Sequence, residues 1–147
     1  MDNKDQFGGQ APGTSEEERA YAYRKFGIDT FPIMDKVDVN GKNASPAYQF
    51  LRAQQPQSTP ATGRGSKTGN VEWNYTKFLV DRDGQAVKRY NPSFDPLDFE
   101  VDLRLVLAGA EPIPAECVLH PGRIVCQPEV LGRLEADPAL LGGPGRA

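Results

Sequence analysis

The period of apolar and polar positions changes several times along this chain, and each change marks an element. Thr14 followed by Glu17 fits a capping box, in which two side chains satisfy free amides at a helix start. Glu16, Glu17 and Glu18 complement the positive end of the helix dipole, so a helix is predicted from there to Phe26, stopped by Gly27. "FPIMDKVDVNG" then alternates through Ile33, Met34, Val37 and Val39 and closes in Asn40-Gly41, which predicts a short strand and a turn. Ser45-Pro46 places an N-cap and a first-position proline ahead of "AYQFLRAQ", a second short helix.

Residues 54–70 are rich in Gln, Ser, Thr, Pro and Gly, show no period, and are predicted to be a loop. "YTKFLVDRDGQAVKRY" predicts two strands joined at Asp83-Gly84. Asp95-Pro96 opens a last helix, with Leu97, Val101, Leu105 and Val106 along one face and Gly109 as its stop. Beyond it the Pro- and Gly-broken residues 110–147 read as an appended tail, largely disordered, and residues 1–109 as the folded domain.

Composition narrows the partners. With 17 Lys+Arg against 20 Asp+Glu the net charge is -3 and no basic stripe exists, which argues against nucleic acid. No apolar run is long enough to span a bilayer. The start shows no charged-then-apolar signal segment, and two cysteines are few for a secreted framework, so a reduced, cytoplasmic setting is expected.

Several patterns carry no chemistry. "GRGSKTG" at residues 63–69 misses the phosphate-loop spacing and follows no strand. Asn43-Ala-Ser and Asn74-Tyr-Thr match a glycosylation sequon, a tripeptide common by chance. His120 has no catalytic context, and one His with two Cys builds no zinc site. Cys117 and Cys126 read as inert thiols more readily than as a disulfide or redox switch.

Trp73-Asn74 at a strand entry is different. One reading is a core Trp beside a turn-forming Asn. The other is an indole N–H and an amide donating to one anionic centre, with Gln6 as a third donor. Three neutral donors around a thiolate would lower its pKa and hold it as a nucleophile.

"DQFGGQAPGTSEEE", "FPIMDKVDVNGKNASPAYQFLR" and "WNYTKFLVDRDGQAVKRYNP" together resemble the glutathione peroxidase family, in order and near its spacing, from about Asp5 to Leu107. The resemblance implies an α/β, thioredoxin-like fold (a mixed sheet flanked by helices) and reduction of hydrogen peroxide or organic hydroperoxides in defence against oxidative stress. It implies a catalytic tetrad of a cysteine or selenocysteine with Gln6, Trp73 and Asn74. Thiolate attack on the O–O bond would give a sulfenic acid that a thiol then reduces. No cofactor is implied, only glutathione or thioredoxin as reducing co-substrate.

The departures from the family pattern are specific. The family's nucleophile lies on a strand-loop-helix ahead of the Q-F-G turn, and no Cys precedes Cys117 here. The chain is therefore expected to be an N-terminally truncated form, inactive alone, with apolar surface and strand edges left uncovered around Val37 and Leu79. Asp5 stands where the family usually has Asn, and Tyr23 where thioredoxin-dependent members carry a resolving Cys. "RYNPSF" replaces the arginine-rich stretch of glutathione-using members, so neither reductant is assigned. The short loop before Trp73 is similar to that of the monomeric type. The alternative is a non-catalytic pseudo-peroxidase that uses Cys117 and Cys126 as a redox-sensing or binding module.

Overall fold

The first predicted helix forms as its capping pattern requires. In the computed structural model, which describes residues 7–58, 69–114, 117–120 and 123–125, α1 spans Ser15–Phe26. Thr14 Oγ1 accepts from the Glu17 amide (3.2 Å), and the Thr14 amide donates to Glu17 Oε2 (2.8 Å). Gly27 ends the helix in the left-handed region, its amide donating to Tyr23 O. This helix buries no residue. Polar ties hold it instead: Arg19 Nη1 donates to Ile33 O (3.0 Å), Arg19 Nη2 meets Asp35 (2.8 Å), and the Lys36 amide donates to Ser15 Oγ (3.0 Å).

Those same ties explain one departure from expectation. "FPIMDKVDVNG" forms no strand; within it only Val37 makes an isolated bridge. Alternation supplies a buried and an exposed face, but a strand also needs a neighbour offering a ladder of amides and carbonyls. Here side chains take that part, and the segment stays extended with Val39 buried at 2% exposure and Met34 out at 68%.

Helix α2, Pro46–Gln54, starts with proline in its first turn and ends against the next strand pair. Gln54 Oε1 accepts from the Ala86 amide (2.6 Å), and Gln55 Nε2 donates to Ala86 O (2.8 Å). Strands β1 (Lys77–Val80) and β2 (Ala86–Tyr90) pair antiparallel, with a bulge between Leu79 and Val80. Asp81 Oδ1 accepts the Asp83 and Gln85 amides, closing the turn predicted at Asp83-Gly84. The class is α/β as expected; among the described residues the strands form two antiparallel pairs.

The last helix opens as a 3₁₀ turn, Pro96–Phe99, and continues as α3, Glu100–Leu107. Its inner face is the predicted one in part. Leu105 and Val106 are buried as expected, but Leu97 and Val101 are exposed at 80% and 40% and Asp102 is buried in their place. Tertiary partners explain the difference. Lys88 Nζ and Tyr90 OH donate to Asp102 Oδ2 (2.8 and 2.7 Å), and the Ile113 amide donates to Oδ1 (2.7 Å). Burial and the Asp102 carboxylate together push the Tyr90 phenol well above its ordinary value.

Packing does not stop at Ala110. Ile113 and Cys117 join Leu79, Tyr90, Phe94, Leu105 and Val106 in one apolar cluster. Strands β3 (Val118–His120) and β4 (Arg123–Val125) follow as an antiparallel pair. Cys117 is fully buried and disulfide-bonded, not the inert thiol expected. The sequence holds one other cysteine, Cys126, which follows the Val118↔Val125 pair as Cys117 precedes it. The remainder of the expected tail, residues 126–147, lies outside the described residues. Among the described residues no helix is long and apolar enough to cross a membrane.

Candidate active site

A second, smaller cluster of Phe7, Val39 and Val71, flanked by Tyr48 and Phe78, sits apart from the main core. These residues meet because three separate stretches cross there: the start of the described chain, the extended segment before Asn40, and the run into β1. Over them opens a cavity of about 410 Å³ whose walls include Phe7, Gln10, Tyr48, Trp73 and Asn74. Its floor is apolar and its rim carries amides, the usual makeup of a small-molecule site.

The glycine turn forms one wall. Gly8 and Gly9 both take positive φ, 79° and 68°, which lets the chain reverse immediately after Phe7. Lys36 Nζ donates to the carbonyls of Ala11 and Gly13, fixing this turn against the extended segment. Phe7 then packs on Trp73, ring centroids 5.5 Å apart and planes tilted by 49°.

The opposite wall is the turn Trp73-Asn74-Tyr75 ahead of β1. Trp73 is half exposed at 49%, so the core-Trp reading does not describe it. Thr76 Oγ1 donates to Trp73 O (3.0 Å) across the turn. Tyr75 sits at φ 63°, the only non-glycine with positive φ among the described residues. A left-handed tyrosine costs roughly 1–2 kcal/mol, and such strain gathers at functional sites. Asn74 Nδ2 donates to Gln10 Oε1 across the cavity, joining the two walls.

Of the three candidate catalytic residues, Trp73 and Asn74 share the cavity wall, and Gln6 lies outside the described residues, one position before Phe7. Gln10 was not singled out from sequence. Its signal was present as the second glutamine flanking the glycine pair, but its partner Asn74 is 64 residues away. Beneath the turn, Glu72 binds Ser58 Oγ (2.6 Å) and Arg89 Nη2 (2.7 Å). Burial alone would raise the Glu72 carboxyl, but the Ser58 and Arg89 hydrogen bonds outweigh it and hold the group below its ordinary 4.5.

The arrangement can present an indole N–H and amide donors to a small polar or anionic group above an apolar floor. No thiol among the described residues lines it; Cys117 belongs to the other cluster. No group of His, Cys, Asp and Glu among the described residues is arranged to hold a metal ion.

Comparison with known proteins agrees with the motifs. Residues 3–52 match the family model for glutathione peroxidase. A sunflower (Helianthus annuus) protein named "Probable phospholipid hydroperoxide glutathione peroxidase" is 42% identical over 102 residues, covering 69% of this chain and 52% of the relative. "Probable glutathione peroxidase 2" of Arabidopsis thaliana is 43% identical over 105 residues, 71% of this chain and 57% of the relative. Among solved structures, apo Trgpx aligns with a TM-score of 0.48 at 25% identity, over 76% of this chain and 79% of that one. The chain spans somewhat more than half the length of these curated relatives, and over that shared stretch it is similar to the glutathione peroxidase family.

Proposed function

We propose that this chain contributes the Gln6, Trp73 and Asn74 side of a peroxide-reducing site, serving a protein that reduces hydrogen peroxide or organic hydroperoxides with a thiol donor. The observation that carries the reading is the cavity in which Trp73 and Asn74 face the glycine turn across an apolar floor. A thiolate or selenolate held there would attack one peroxide oxygen. The O–O bond breaks, the alkoxide or hydroxide leaves and takes a proton, and the sulfur becomes a sulfenic acid. Two equivalents of a thiol such as glutathione, or one thioredoxin dithiol, then return it to the thiol and release water. Trp73 and Asn74 act by donating hydrogen bonds to the anion, which lowers the thiol pKa and steadies the attacking state.

No cysteine precedes Cys117 in the sequence, and Cys117 is disulfide-bonded in the other cluster. The reading therefore requires turnover to be absent from this polypeptide alone, with either glutathione or thioredoxin as donor. The test is a chimera in which the residues of the sunflower relative preceding the matched stretch are joined to this chain. Peroxide turnover is expected to appear there and to fall about tenfold to a hundredfold in Asn74→Ala. A folded chimera that turns over equally well with Asn74→Ala overturns the assignment.

A further inference from the structure

Residues 69–72, which lead into Trp73, are held by side chains from three distant parts of the chain. Asn40 imitates a ladder partner: its Oδ1 accepts from the Val71 amide (2.8 Å) and its Nδ2 donates to Val71 O (2.9 Å). Arg52 on α2 donates through Nε to Gly69 O (3.2 Å) and through Nη2 to Asn70 Oδ1 (2.6 Å). Arg89 on β2 donates through Nη1 to the same Gly69 O (3.0 Å) and through Nη2 to Asn70 O (2.6 Å) and Glu72 Oε2 (2.7 Å).

Arg89 is only 1% exposed, and its guanidinium lies over the Phe78 ring at 5.2 Å. Burying a guanidinium is costly, and apolar side chains often serve stability equally well at such sites. Two arginines converging on one carbonyl therefore suggest a demand for geometry at this spot. Tyr75 shows what the geometry is for. A left-handed tyrosine persists only where its surroundings over-determine the backbone. The bonds to residues 69–72 fix the chain before the turn, and β1 fixes it after.

We infer that Asn40, Arg52 and the Arg89–Glu72 pair are positioning residues, a frame that holds the strained turn presenting Trp73 and Asn74 to the cavity. The inference rests on reading those two residues as the reacting wall. It extends that reading to four side chains that do not touch the reacting atoms.

Trp73 is the chain's single tryptophan, so its fluorescence reports the turn directly. The full chain is compared with Arg89→Met, Arg52→Met, Asn40→Ser and the conservative Glu72→Gln by acrylamide quenching, with far-UV circular dichroism checking the fold. Releasing the frame is expected to raise the Trp73 quenching constant about twofold and shift its emission to the red. Glu72→Gln, which keeps an acceptor for Arg89, is expected to stay near the parent. If Arg89→Met does not fold, the half-buried Arg52 and Asn40 positions still give the answer. Folded variants at both positions with unchanged quenching and emission overturn the proposal. No peroxide enters the experiment, so its failure is distinct from failure of the peroxidase reading, which the Asn74→Ala chimera tests alone.

Discussion

Asp102→Asn keeps the shape of a buried side chain and removes its charge, which makes the cluster beneath α3 a sharp test of the packing. Three donors converge on this carboxylate, two on Oδ2 from Lys88 and Tyr90 and one on Oδ1 from Ile113. Asparagine offers one acceptor oxygen, so its amide nitrogen must oppose one set of donors. Side-chain exposure is 4% for Lys88 and 0% for Asp102, so water cannot replace the lost partner. Removing one member of a buried pair costs about 3–5 kcal/mol. Against a total stability of about 5–15 kcal/mol this is a large fraction. Urea unfolding followed by circular dichroism reads it: with a slope of about 1–2 kcal/mol per M, the midpoint falls by about 1.5–5 M. The double variant Lys88→Met/Asp102→Leu removes both charges and is expected to recover part of the loss. It will not recover all, because the Tyr90 hydroxyl and Ile113 amide remain unpaired at about 1–3 kcal/mol each. An Asp102→Asn protein within about 1 kcal/mol of the parent, at unchanged slope, would refute the burial of a charged Lys88.

Three smaller predictions follow from other parts of the fold. Tyr75→Asn relieves a left-handed tyrosine and should stabilise the protein by about 0.5–1 kcal/mol, seen as a raised Tm in calorimetry; a lowered Tm contradicts the strain. Thr14→Ala should weaken α1 by about 1 kcal/mol, read from faster amide exchange along that helix, whereas unchanged exchange would mean the capping box carries no stability. Glu72 is held below its ordinary 4.5, so the unfolded chain takes up its proton first. Its contribution is full above pH 4.5 and is lost as pH falls through the folded value, so acid unfolding of Glu72→Gln should be less steep in that window.

Local signals made part of this molecule legible in its sequence. Thr14, Glu17 and Gly27 bracket α1 because caps act within a few residues, and Asp83-Gly84 marks its hairpin for the same reason. The motifs around Trp73-Asn74 carry the resemblance to the glutathione peroxidase family without any geometry. What stayed hidden was set by distant partners. Asp102 reads as a solvent-facing residue of an amphipathic helix until Lys88 and Ile113 are seen around it. The alternation in "FPIMDKVDVNG" promised a strand, but no ladder was there to receive it. The side-chain ties from Arg19, Ser15 and Asn40 that replaced one have no local signature. Cys117 could have been found: Pro121-Gly122 between short β-branched runs is a hairpin signal, and the two cysteines flank it. Gln10 and the frame of Asn40, Arg52 and Arg89 depend on contacts 17 to 64 residues apart, beyond any periodic pattern.

The central claim is that Trp73 and Asn74 form the anion-stabilising wall of a thiol peroxidase site. Its most direct test is the pKa of the reacting thiol in the cysteine-bearing chimera, titrated by thiolate absorbance. The account predicts a value below about 7, against an ordinary thiol near about 8.5, rising by about one unit in Asn74→Ala. A thiol titrating at its ordinary value, and unmoved by Asn74→Ala, would contradict it.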